Sequence, residues 1–377
     1  MSEPVLLPGR SSGIRRWCVL WFQLTLSAVI LGYLAVQAYR SGAFTELAQR
    51  EKQWSWLVVG ALVSVTGILG TFFRWYRLLR SQRLEVSWRD TFRFSAVGYV
   101  VNFAPLGIAG GDFLKAVLIA RHQRHQRATA ITSVLIDRVV GLAALFYVIT
   151  LLAFLTGSVR FPVPIDEFRE VLALSRAGSP APVPGELFFQ LLVWIAILMT
   201  ILGTVAMVLV IWPKYTGGRY LLAWIARLPK IGPKLDAILR SFEAFGRTPL
   251  ILLESIALAM LFHGLFGLGA WCMAMGLFRE VHGVSRMALL FSLANSSQII
   301  PLPLGPTELV LDLLCRWVPI AVGGKVAMKI GEGAVIAIAC RAANLLTASG
   351  FVPCWFLSRR EVRRVQEMLR DERTPPQ

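Results

Sequence analysis

The sequence predicts an all-α polytopic membrane protein, with about six full transmembrane helices and two re-entrant broken hairpins in an inverted repeat. Three observations carry that prediction. Of the 377 residues, 56% are hydrophobic and only 16% charged, with a mean hydropathy of +0.61, a balance outside the range of soluble domains. Apolar runs long enough to cross a bilayer alternate with short basic blocks, which account for the net charge of +17. Lastly, one interrupted apolar stretch, rich in Asn, Pro and Gly, occurs twice.

The first copy runs Asn102-Phe-Ala-Pro-Leu-Gly-Ile-Ala-Gly-Gly-Asp112, and the second Asn295-Ser-Ser-Gln-Ile-Ile-Pro-Leu-Pro-Leu-Gly-Pro-Thr-Glu308. Each opens on an asparagine and places an acid seven residues after a Pro-Leu step, Pro105 to Asp112 and Pro301 to Glu308. Proline removes a backbone donor and glycine loosens the chain, so neither stretch reads as continuous helix. Irregular backbone survives at membrane depth only where protein or a polar cavity satisfies its peptide groups. A hydrophobic span with one arginine follows each copy, Arg138 in Leu135-Ile-Asp-Arg-Val and Arg341 in Ile338-Ala-Cys-Arg-Ala.

In chain order, residues 1–16 form a polar lead expected on the cytoplasmic side, and Trp17 to Tyr39 the first span. Residues 17–358 form the membrane domain and 359–377 a basic cytoplasmic tail. The second span, Trp54 to Phe73, ends in a block running to Arg93 that holds six arginines against Glu85 and Asp90. A second basic cluster, Arg121, Arg124 and Arg127, follows. If both clusters are cytoplasmic, the residues between them (94–120) enter the membrane and return on arms of about ten residues, roughly 15 Å each. Residues 131–155 then cross outward, 187–211 return, and 250–278 cross outward again. The second hairpin, 287–322, dips from the other face before 334–357 crosses inward. Tyr220 to Leu228 has the pattern of an amphipathic segment lying along the headgroups. Both termini are expected inside, and the two halves have opposite orientation, the plan of many transporters.

Composition excludes several function classes. No soluble stretch is long enough for a nucleic-acid reader domain, so positive-inside loops explain the basic charge. The five cysteines are solitary and no Cys/His metal spacing exists, so no metal or disulfide framework is expected. There is no Walker loop, GxSxG, HExxH or dinucleotide fingerprint, hence no expected cofactor, catalytic residue or ATP-driven step. His263 lies alone inside a span and reads as hydrogen-bonded structure. The twelve tryptophans read as interfacial belts.

What remains is a set of candidate headgroup-binding residues: Arg138, Arg341, Asp112, Glu308, Asn102, Gly110, Gly111, Asn295, Arg74 and Arg77. Helix N-termini expected after Gly110-Gly111 and after Gly305-Pro306 would offer free N–H groups to an anion. Asp112 and Glu308 either cap those ends or belong to the site, since ionisable groups inside a membrane are costly and functional by default. A membrane arginine must pair, and the symmetric expectation is Asp112 with Arg138 and Glu308 with Arg341, with Asp137 as the rival partner for Arg138. Arg74, Arg77 and Arg80 recur at helical spacing and read either as headgroup collectors or as a topology anchor.

The segments Phe73-Arg-Trp-Tyr-Arg-Leu-Leu, Asn102 to Asp112, Ser133-Val-Leu-Ile-Asp-Arg-Val-Val-Gly-Leu142, Pro301 to Glu308 and Arg341 together resemble the flippase-like membrane domain of lysylphosphatidylglycerol synthases, in its stand-alone form. The likeness covers roughly Trp17 to Arg360. It departs where the family tends to carry a proline–glycine–glycine run before the glutamate; here the chain reads Pro303-Leu-Gly-Pro-Thr-Glu308. The resemblance implies a protein of the bacterial inner (plasma) membrane that moves phospholipids or lipid-linked groups between leaflets. Headgroups are expected to pass through a polar cleft between the hairpins, and without an ATP site the expected route is downhill or ion-coupled. Only residues 359–377 follow the last span, so synthesis of lysyl-lipid by this chain alone is not expected. The expected partners are membrane lipids with anionic headgroups. A non-transporting subunit that presents a lipid to a glycosyl- or aminoacyl-transferase is the alternative, and a membrane enzyme using Asp112 or Glu308 as base the third.

Overall fold

Apolar runs become helices in a bilayer because no water is there to bond the backbone. In a computed structural model, residues 11–103, 107–123, 125–159, 185–211, 245, 248–300, 302, 304–318 and 327–358 are described. Among these there are helices and no strands: α1 (Ser11–Arg40), α2 (Ala43–Gln49), α3 (Trp54–Ser81), α4 (Trp88–Val101), α5 (Gly107–His122), α6 (Arg127–Leu155), α7 (Gly185–Ile211), α8 (Pro249–Leu277), α9 (Val284–Ser296), α10 (Pro306–Trp317) and α11 (Glu332–Gly350). Six helical stretches are long and apolar enough to cross a membrane, Trp21–Arg40, Trp54–Ser81, Arg127–Leu155, Gly185–Leu209, Pro249–Leu277 and Glu332–Ser358. The protein is an all-α polytopic membrane protein. The leading residues 1–10, most of the 157–185 loop, the amphipathic segment at 220–228 and the basic tail lie outside the described residues, as do Pro105, Pro301 and Pro303.

Two four-helix units repeat. Helices α3-α4-α5-α6 correspond to α8-α9-α10-α11, the first three pairs at an offset near 196 positions. The units are inverted: α3 and α8 pack antiparallel along their lengths. The Gln53 N–H donates to the Gly276 carbonyl at 3.1 Å at one end, and Gly60 faces Gly269, Gly67 faces Phe266 and Gly70 faces Phe262 towards the other. Small residues permit that approach, as at membrane helix crossings generally. A Cβ on Gly269 would stand 2.6 Å from Ser64 Oγ and 3.2 Å from the Gly60 carbonyl oxygen. Gly269→Val should therefore lower stability by about 1–3 kcal/mol through overpacking, read as a lower melting temperature in detergent. An unchanged melting temperature would mean that the two helices separate easily.

The hairpins differ from expectation in length. Helices α4 and α5 have 14 and 16 residues, roughly 21 and 24 Å of rise, so the arms reach further than ten residues would. The extra length lies on the approach side, where Ser87 Oγ accepts the Asp90 N–H at 3.1 Å and caps α4. Arg89 and Arg93 thus belong to the helix rather than to a loop. The second span is likewise longer than expected, because α3 carries Arg74, Arg77 and Arg80 on to Ser81. The short helix α2 was not expected from the sequence.

Candidate functional site

Each hairpin brings one acid to the arginine of the following span. In the first half, α5 presents Asp112 to Arg138 of α6. The Arg138 Nη2 donates to Asp112 Oδ1 at 2.6 Å, and its Nε faces the other carboxylate oxygen. In the second half, Arg341 Nε of α11 donates to Glu308 Oε1 of α10 at 2.7 Å. The two pairs are chemically alike and structurally different. Glu308 is 1% exposed and also accepts the Gly305 N–H at 2.9 Å through Oε2, so it closes its own helix start as well as binding the arginine. Gly305 has a φ of 113°, which favours glycine there. Asp112 lies within α5 and its side chain is 23% exposed.

Position on the span decides what these arginines meet. Arg138 lies eleven residues into α6 and Arg341 nine into α11, roughly 16 and 14 Å along their helices, about half of a 30 Å hydrocarbon layer. Leu135 and Leu142 flank Arg138 on its face and are exposed; Ile338 and Leu345 flank Arg341 in the same way. The spacing is identical, three residues before and four after, so each arginine stands in the middle of a lipid-facing apolar stripe. The Arg138 side chain is 47% exposed and that of Arg341 31%. Arg138 engages Asp112 through its Nε and Nη2, leaving Nη1 for a further oxyanion.

Beneath Arg138 is a buried layer. Arg74 of α3 donates through Nε to Asp137 Oδ1 at 3.0 Å and through Nη2 to the Asp137 carbonyl at 3.1 Å. Lys115, one turn after Asp112 on α5, places Nζ 3.6 Å from Asp137 Oδ2 and 3.8 Å from the centre of the Trp75 ring. Trp75 Nε1 donates to Ser133 Oγ at 3.1 Å. Arg74, Lys115 and Asp137 are all at least nine-tenths buried. Gly141 gives the Arg74 guanidinium room, since a Cβ there would come 3.3 Å from it, and the Gly141 carbonyl lies 3.0 Å from His263 Nε2. The cluster holds three cations (Arg74, Lys115, Arg138) against two carboxylates (Asp112, Asp137), an excess of one positive charge.

Several sequence expectations are corrected by this arrangement. Arg74 is neither a surface anchor nor available to a headgroup, because its guanidinium is enclosed with Asp137. Asp137 is not the partner of Arg138: adjacent helix positions point apart, and Asp137 turns inward to α3 and α5. Arg77 pairs with Glu254 of α8 at 2.7 Å. Helix α5 begins at Gly107, so Gly110 falls in its first turn and Gly111 in its second rather than before its start. Gly111 has another task. A Cβ there would lie 2.0 Å from Asn102 Oδ1 and 2.2 Å from the Gly98 carbonyl oxygen, so the hairpin arms cross on it. Asn102 ends α4 as its C-cap. Asn295 lies near the end of α9, its Oδ1 accepting from Gln298 Nε2.

Sequence reasoning missed Lys115 and Asp312. Lys115 was legible as the cation at i+3 from Asp112 in an apolar run. Asp312 gave no such signal: from inside α10 it accepts the Gly331 N–H at 2.8 Å and the Ala334 N–H at 3.4 Å, capping the start of α11.

The family model of the lysylphosphatidylglycerol synthase TM region matches residues 20–347, and the chain belongs to that family. No curated protein and no solved structure matches it.

Proposed function

We propose that this member of the family is a non-enzymatic lipid flippase or scramblase, which carries polar headgroups between leaflets while the acyl tails stay in the bilayer. The observation that supports this most is the placing of Arg138 and Arg341 at half-span depth, in exposed apolar stripes of two inverted units. A guanidinium facing hydrocarbon is costly, so such a position is worth occupying only where a polar group passes. A headgroup phosphate would take the free edge of Arg138 in charge-assisted hydrogen bonds and compete with Asp112 for the other. The equivalent exchange at Arg341 is harder, because Glu308 is fixed by its own helix start. The excess positive charge of the first cluster favours an anionic headgroup. The basic blocks favour cytoplasmic termini by the positive-inside rule.

The test is transfer of labelled phosphatidylglycerol and phosphatidylcholine between leaflets in proteoliposomes. The native protein should move phosphatidylglycerol faster than phosphatidylcholine, and Arg138→Ala should slow it by about tenfold, equivalent to losing ~1.4 kcal/mol at the barrier. A folded protein that retains lipid but moves none would instead be the subunit that presents a lipid to a transferase.

A further inference from the structure

The inverted repeat supplies an internal comparison that singles out a second lipid contact. Where α3 and α4 of the first unit meet the end of α11, Phe72, Phe92 and Phe351 close on one another, with ring centres 5.7–5.8 Å apart. Ile68 and Cys354 belong to the same cluster. The counterparts of these five residues, where α8 and α9 of the second unit meet α6, are Leu268, Ala288, Val148, Gly264 and Leu151. All five line a groove of about 380 Å³ between α6, α8 and α9. Four of the five are smaller than their counterparts, and a Cβ added to Gly264 would meet nothing within 4 Å. What aromatic rings fill in one unit is left open in the other.

The chemistry of the opening restricts its occupant. The remaining lining is Leu152, Met260, Leu261, Val284 and the single hydroxyl of Ser285, so no charged group awaits a ligand. Leu151, Leu261 and Val284 are exposed, which makes the groove continuous with the lipid-facing surface of two spans. The groove thus opens where the hydrocarbon of the bilayer lies, and a lining with one hydroxyl and no charge matches a single hydrocarbon chain. We propose that this groove holds one acyl chain of a bilayer lipid, at a site present in the second unit and sealed by Phe72, Phe92 and Phe351 in the first. The inference stands apart from the transport reading: a lipid tail seated here requires no movement of headgroups.

The experiment uses the full chain in phosphatidylcholine proteoliposomes that contain a small fraction of phosphatidylcholine with a diazirine halfway along one acyl chain. After irradiation, adducts are mapped by mass spectrometry. Labelling should concentrate on 148–152 and 260–268 above the level at Ile195 to Leu202, a stretch of α7 outside this groove with several exposed apolar side chains. The double change Gly264→Ile and Ala288→Phe, which copies residues the first unit already packs, should reduce it to that background. Conversely, Phe92→Ala with Phe351→Val should open the first unit and raise labelling at 64–72. Labelling spread evenly over all lipid-facing helices, or unaltered by both variants, would overturn the proposal. So would cross-links from this groove to a second copy of the chain.

Discussion

Asp137→Ala should leave too little folded protein to purify. Among the described residues, Asp137 is the carboxylate that contacts both the enclosed Arg74 and Lys115, and its loss strands two cations among α3, α5 and α6. Removing one partner of a buried pair costs about 3–5 kcal/mol, against a total stability of ~5–15 kcal/mol for a typical protein. The measurement is recovery of monodisperse protein in detergent, followed by its melting temperature. A comparison isolates burial as the cause. Glu254→Gln breaks the Arg77–Glu254 pair, whose side chains are more than a third exposed, and should cost less than about 1 kcal/mol. The stronger control removes all the charges together. Replacing Arg74 and Lys115 by Met and Asp137 by Leu eliminates every desolvation cost at once, and such exchanges are often neutral. That triple variant should purify where the single one does not. A single variant as stable as the native chain would show that water reaches Lys115 and Arg74.

Most of the architecture was legible because hydrophobic runs and helix breakers act locally. Spans are recognised by length, and the two Pro-Leu stretches were visible because the chain carries them twice. The Asp112–Arg138 and Glu308–Arg341 pairs followed from the same duplication, since an isolated membrane arginine must find an acid. The fate of Arg74 was not legible. Arginines every three residues at the end of a span read as a surface anchor, and only the approach of α6 at Gly141 turns one of them inward. The role of Gly111 was misread for a similar reason: a glycine required by a helix crossing is indistinguishable, in one sequence, from a glycine that breaks a helix. The open groove was hidden more deeply, because it emerges only when Phe92 is compared with Ala288 and Phe351 with Val148 in three dimensions.

Exchanging the partners of the two ion pairs should give opposite results, although the sequence presents them as equivalents. In the first unit, Asp112→Arg and Arg138→Asp should each abolish lipid movement, and the two together should restore a substantial part of it. Both side chains reach the surface, and the contact runs from side chain to side chain, so a reversed pair keeps it. In the second unit, Glu308→Arg with Arg341→Glu should not recover. Glu308 Oε2 accepts the Gly305 N–H at the start of α10, and a guanidinium has only donors to offer that N–H. The reversed pair would bury an unsatisfied backbone donor, worth about 1–3 kcal/mol, and place a long cation in a space that is 1% exposed. The readouts are melting temperature and transfer in proteoliposomes, measured on the same preparations. Rescue in both units would mean that the hydrogen bond to Gly305 is dispensable and the pairs are interchangeable. Failure in the first unit, with protein that melts like the native chain, would mean that Arg138 must stand on α6 itself, where its free edge faces the lipid.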